Sequence, residues 1–157
     1  MRTGRWSLRF GILVKYRGTK VNVGEINMKV CLLCSVDNDS EQKIIIKNKY
    51  CMFLQKPQDI LIGSGIIVPK EHRESVFDLS QDEWTATFQL LQEVKTYIDK
   101  EYSPQGYNIG WNVGSVSGQE IFHAHLHVIP RFEDEPLAGK GIRYWLKQPE
   151  NKRSVSI

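Results

Sequence analysis

The chain has 157 residues, 41% of them hydrophobic and 25% charged, a balance that fits one globular domain with a sizeable core. No stretch approaches the ~20 consecutive apolar residues needed to span a bilayer, so no membrane partner is expected. The net charge of +3 is concentrated at the start: Arg2, Arg5, Arg9, Lys15, Arg17 and Lys20 face only Glu25, leaving residues 1–27 at +5 and the remainder at −2. A nucleic-acid-binding domain needs a basic face on its folded body, which this balance does not suggest; small anionic ligands, which need only a local site, stay open.

Residues 1–27 read as a leader outside the fold. Phe10 to Val14 is too short for a secretory h-region, and Lys15 follows at once. The Arg-rich, acid-poor composition is also that of a transit peptide. Met28 lies in frame just before the first motif, and codons for Val23-Gly24-Glu25 can spell a purine-rich ribosome-binding site. The expectation is that translation starts at Met28. The domain then covers residues 28–140, with a charged tail at 141–157.

Three cysteines, Cys31, Cys34 and Cys51, are an odd number without a secretion signal, which argues for a reducing cytoplasm rather than a disulfide scaffold. Cys31-x-x-Cys34 reads as a metal knuckle, a redox pair or two buried small hydrophobes. From Ile44 to Leu54 two short strands are predicted, with a turn at Lys47 to Lys49. Ile66-Ile67-Val68 is a β-branched strand ended by Pro69, and a short helix is expected from His72 to Leu79. Ser80 to Glu83 is a capping-box sequence that opens a helix. Trp84, Phe88, Leu91, Val94 and Ile98 fall near helical spacing behind it and are expected in the core. Ser103-Pro104 and Gly106 end that helix. Tyr107 to Val113 and Phe122 to Ile129 are predicted strands of one hairpin, and a further short helix is expected from Gly141 to Lys147. The order implies an α+β domain with a mainly antiparallel sheet and one main helix.

The run from Phe122 to Ile129 carries the chemistry. His123, His125 and His127, three of the four histidines, alternate with Ala124, Leu126 and Val128. In a strand the histidines would share one face. Three imidazoles on an apolar strand are costly to desolvate without a function. Such a row suits a metal site or nucleophilic catalysis, in which a neutral imidazole attacks phosphorus. The turn from Gly114 to Gly118 favours the second, because glycines let backbone N–H groups approach phosphate oxygens.

His-x-His-x-His followed by two apolar residues resembles the motif of the histidine-triad proteins. Asn112-x-Gly114, Gly118-Gln119, Pro130-Arg131 and, upstream, Gly63-x-x-Ile66-x-Val68-Pro69-Lys70-x-His72 match in order and spacing. The Cys31-x-x-Cys34 start matches the zinc-bearing bacterial branch, so the resemblance covers about two-thirds of the chain. It implies a five-stranded antiparallel sheet with two helices, a homodimer, and hydrolysis at the α-phosphate of nucleotide phosphoramidates or dinucleoside polyphosphates. His125 would be the nucleophile that forms a nucleotidyl-histidine, and His127 would hydrogen-bond the phosphate. Asn112 and Gln119 would contact phosphate or orient the nucleotide, beside Gly118. Cys31, Cys34, His72 and His123 would hold a structural zinc ion.

Three positions depart from the family pattern. Ser64 replaces an additional active-site histidine, and Lys56 replaces an aspartate that holds the ribose hydroxyls, with Asp59 close by. Glu120 replaces a Ser or Thr that contacts the leaving group, and its carboxyl can supply a proton. Ribose recognition is therefore expected to be weakened. The same fold could also serve as a non-catalytic nucleotide- or partner-binding module, which would trap no nucleotide on His125. A nucleotidyl transferase to a sugar phosphate is disfavoured, because such relatives carry His-Pro-His-Pro. A catalytic three-histidine metal site lacks the extra acidic ligands.

Overall fold

Alternation in the first half of the chain builds a meander. Strand β1 (Lys43–Lys47) and strand β2 (Cys51–Gln55) form a hairpin closed at Asn48, whose side-chain oxygen accepts from the N–H groups of Tyr50 and Cys51. Strand β3 (Gly65–Pro69) pairs antiparallel with β2, from Gly65 opposite Gln55 to Pro69 opposite Cys51. Gly65 is required there. A Cβ at this position would come within 2.5 Å of the Leu54 carbonyl oxygen and of the Phe53 ring. The computed structural model describes residues 31–36 and 39–154, so the expected leader at 1–27 lies outside the described residues.

Helix α1 (Gln81–Tyr102) begins at the predicted capping box. Ser80 accepts from the Glu83 N–H, and Glu83 reaches back to the Ser80 N–H. It stops where Ser103 turns left-handed ahead of Pro104. Strand β4 (Gly106–Trp111) and strand β5 (Leu126–Arg131) complete a five-stranded antiparallel sheet in the order β1-β2-β3-β5-β4. Helix α2 (Ile142–Leu146) is short and lies within the expected 141–147 segment. The expected helix at His72 to Leu79 reduces to a single 3-10 turn, Val76–Asp78, capped by Ser75.

The sheet separates two packed layers. On one side Phe53, Ile67, Leu126 and Val128 meet Leu90, Val94 and Ile98 of α1. On the other, Leu33 from the Cys31–Cys34 loop packs on Met52, Leu54 and Val68. Strand β2 is therefore buried on both faces, which explains why Cys51 to Leu54 is apolar without alternation.

Trp84 and Phe88 depart from expectation. They are 50% and 60% exposed, because α1 carries two apolar stripes. Ala86, Leu90, Val94 and Ile98 cover the sheet. Trp84, Phe88 and Leu91 overhang edge strand β4, where Trp84 stacks on Trp111 and the three join Ile109 around an apolar groove.

Candidate functional site

Pro69 ends β3 and has no N–H to offer, so β5 gains its β3 partners only from Leu126 onward. The strand expected from Phe122 therefore starts four residues later. His123 and His125 sit on an irregular approach, and only His127 lies in the strand. The Ala124 N–H leaves the sheet and donates to the Arg73 carbonyl at 2.5 Å. Arg73 in turn grips both carboxylate oxygens of Glu83 at 3.0–3.1 Å. Burial pushes the Glu83 carboxyl up, but the Arg73 and Ser80 hydrogen bonds outweigh it and hold the group below the usual range.

His123 is fully buried. Its Nε2 donates to the Pro69 carbonyl at 2.9 Å, which leaves Nδ1 as the unprotonated nitrogen of the neutral ring. That nitrogen lies 3.4 Å from each of the Cys31 and Cys34 sulfurs, and His72 Nδ1 lies 3.3 Å from Cys34 Sγ. All four ligand atoms fall within 4.8 Å of one another. Tetrahedral zinc, with bonds of about 2.0–2.3 Å, requires donor–donor separations of roughly 3.3–3.8 Å. The residues fit a metal ion, and Pro69 supplies the carbonyl that orients a ligating imidazole. Burial, then Cys31, pushes the Cys34 thiol up to about 11, a shift that a bound cation would reverse.

His125, 9% exposed, donates from Nδ1 to its neighbour's carbonyl, that of His123, at 2.7 Å. A carbonyl only accepts, so the neutral ring presents the Nε2 lone pair. The His127 ring packs edge-on against it, with centroids 4.8 Å apart. Burial, then His125, pushes the His127 pKa down, so this imidazole is neutral at pH 7. His127 Nε2 is buried without a partner among the described residues. His127 is among the residues lining a cavity of about 290 Å³ between β3, β5 and the β2–β3 loop, with Leu54, Lys56, Ser64, Ile66 and Ile129.

The remaining predicted residues are placed as follows. Gln119 is buried, its oxygen accepting from the Gly114 N–H at 2.8 Å and its nitrogen donating to the Glu74 carbonyl at 2.7 Å. It braces the turn from within. Gly114 and Gly118 take the positive φ values of +80° and +88° that the turn requires. Asn112 reaches across to the Gly118 carbonyl at 3.4 Å. The N–H groups of Ser117, Gly118 and Gln119 are bonded inside the turn. Glu120 is exposed after it, as is Asp59 in the β2–β3 loop. Lys56 is ion-paired with Asp39 at 3.2 Å and Glu41 at 2.9 Å. Sequence reading missed Gln42, which lines the cavity and whose Nε2 is also buried without a partner among the described residues.

An antiparallel five-stranded sheet with a His-x-His-x-His run whose last histidine lines a cavity defines a histidine-triad architecture. Residues 37–134 match the HIT domain, and the chain belongs to the HIT family. An uncharacterized HIT-like protein of Mycoplasma genitalium is 28% identical over 126 residues, 80% of this chain and 86% of that one. The adenosine 5'-monophosphoramidase of Schizosaccharomyces pombe is 28% identical over 93 residues, 59% of this chain and 67% of the enzyme. Among solved structures, a HIT family protein from Bacillus anthracis superposes with a TM-score of 0.61 at 25% identity, covering 68% of this chain and 76% of that one. A zinc-bound histidine triad family protein from Mycobacterium smegmatis shares the fold, with a TM-score of 0.60 at 21% identity, covering 77% of this chain and 84% of that one.

Proposed function

We propose that the protein is a nucleotide hydrolase or nucleotidyl transferase acting at the α-phosphate of nucleotide phosphoramidates or dinucleoside polyphosphates. The observation that carries this reading is the committed Nδ1 of His125, which leaves the Nε2 lone pair to attack. Nε2 forms the new P–N bond as the bond from phosphorus to the leaving group breaks, and the leaving group departs with that electron pair. His127 Nε2, neutral and unpartnered, meets a phosphate oxygen. Glu120, on the exposed flank of the turn, supplies the leaving group's proton. Water then attacks phosphorus and passes its proton to the Glu120 carboxylate, while the P–N bond breaks and its electron pair returns to His125 Nε2, which releases the nucleotide and restores both residues. Gln119 acts mainly by fixing the turn that borders the phosphate, with Asn112 and Gly118 at its open edge.

Cys31, Cys34, His72 and His123 hold a zinc ion in this reading. All four positions are protein ligands, so its role is structural. The thiolates it needs persist in a reducing cytoplasm; no helix among the described residues is long and apolar enough to cross a membrane. The substrate in this reading is a small nucleotide rather than a nucleic acid, because residues 28–157 carry no basic excess, summing to −2. The apolar groove of Trp84, Phe88, Leu91 and Ile109, flanking edge strand β4, supports a homodimer closed across that edge. A screen of adenosine and guanosine phosphoramidates and diadenosine polyphosphates tests the activity. Turnover of one class supports the reading; binding without turnover of any supports a binding module instead. Light scattering tests the assembly: the native chain should be a dimer and Phe88→Glu a monomer.

A further inference from the structure

Among the described residues only two buried side-chain nitrogen or oxygen atoms have no hydrogen-bond partner: His127 Nε2 and Gln42 Nε2. Both belong to the same cavity. Native proteins leave few such groups, because each forfeits its interaction with water without replacement. The candidate phosphate chemistry accounts for His127. Nothing in it accounts for Gln42.

The neighbouring amides do not share this condition. Gln55 donates to the Gly63 carbonyl at 2.8 Å and accepts from the Tyr97 hydroxyl at 3.4 Å. Gln58 donates to Ser64 Oγ at 2.6 Å. Those two glutamines are structural cross-links within the cavity wall. Gln42 immediately precedes β1, where Lys43 pairs with Gln55, and its backbone is fixed by donation to the Asp39 carbonyl at 3.1 Å. Gln42 thus lines the cavity together with Leu54 and Ile66, and its amide nitrogen, buried in this structure, has no partner among the described residues. Apolar surface from Leu54, Leu61, Ile66 and Ile129 beside an amide with no other partner is an arrangement that can hold a flat heterocycle and select its edge.

Resting on the nucleotide reading above, we infer that Gln42 meets the nucleobase on its N7 edge and so gives the site a preference for adenine over guanine. A carboxamide places one donor beside one acceptor. Adenine answers with N7 as acceptor and its N6 amino group as donor, whereas guanine presents two acceptors, N7 and O6, on the same edge. A carboxamide satisfies both atoms of the first edge and only one of the second. The leftover amide oxygen facing guanine O6 adds a repulsion between acceptors.

The test is calorimetric binding of AMP and of GMP to the full metal-loaded chain, its Gln42→Leu variant and its Gln42→Glu variant, with a melting curve for each. The native chain should bind AMP roughly ten-fold or more tighter than GMP, the discrimination a bidentate amide–adenine pair supplies. Gln42→Leu should bring the two within about two-fold, through weaker AMP binding, since a leucine offers the base edge no hydrogen bond. Its melting temperature should equal or exceed the native value, because a buried orphan donor has been removed. Gln42→Glu offers only acceptors and should also lose the preference for AMP. An unchanged AMP-to-GMP ratio in Gln42→Leu would overturn the role of Gln42 alone. A fall in melting temperature with that ratio intact would assign it to packing. Failure of the native chain to bind either nucleotide would overturn the nucleotide reading, and the base-reading role with it.

Discussion

The two ends of a five-residue histidine run differ in how their ring nitrogens are engaged. At His123 every polar atom is committed: Nε2 to the Pro69 carbonyl, Nδ1 to the two cysteines, with no exposed surface. At His127 the ring is half-buried and lines a cavity, and its Nε2 has no partner among the described residues. His125 lies between them in position and in kind, with one nitrogen committed and the other presented. Same residue type and same motif do not give same role. The difference lies in how each ring's two nitrogens are disposed of, and a fully satisfied imidazole is a structural one.

That contrast predicts where function and stability separate. The largest effect belongs to His125→Ala, which should lower turnover by several orders of magnitude while the melting curve stays near native; steady-state kinetics and calorimetry check both. Next comes the opposite pattern at the other end. His123→Ala should weaken metal retention by more than the ~10–100-fold typical of losing only a group that orients a ligand, and should lower the melting temperature. Elemental analysis alongside thermal melts reads both, and His127→Gln should leave metal content and melting unchanged while turnover falls.

A smaller effect concerns pH. Burial holds the folded His127 below its ordinary value of 6.5, so the unfolded chain binds the proton more readily. Stability from this group is present above pH 6.5 and is lost as pH falls through the depressed folded value. Melting temperatures measured from pH 7.5 down to 5 should decline, and His127→Gln should flatten part of that decline. The smallest effect is the expected absence of one. Removing residues 1–27 should leave melting temperature and turnover unchanged, and a clear loss in either would place the leader within the domain.

Much of the site was legible in the sequence because its signals are short-range and chemically rare. Cys31-x-x-Cys34, Pro69 to His72 and the histidine run are each readable locally, and the fold brings Cys31, Cys34, His72 and His123 together in a cluster that could hold a metal ion. The capping box at Ser80 was likewise readable, since both partners lie within one turn. Other features depended on neighbours the sequence does not display. Trp84 and Phe88 share helical spacing with true core residues, and periodicity reports an apolar face without saying whether the chain itself covers it. Where β5 starts is decided by Pro69 on another strand and by the Arg73 carbonyl, which draws Ala124 away. Gln42 carried no signal at all. A glutamine before a strand is ordinary, and only the pairing of Gln55 and Gln58 with other groups singles it out.

The central claim is that His125, and neither neighbouring histidine, becomes covalently bound to the nucleotide. Rapid acid-free quenching of the metal-loaded chain with a radiolabelled adenosine phosphoramidate, followed by peptide mapping, tests it directly. The account predicts label on the peptide containing residues 123–127, fragmenting to a nucleotidyl group on His125, and no label in His125→Ala. Native-rate turnover with label on His127, on His123 or on no residue would contradict it.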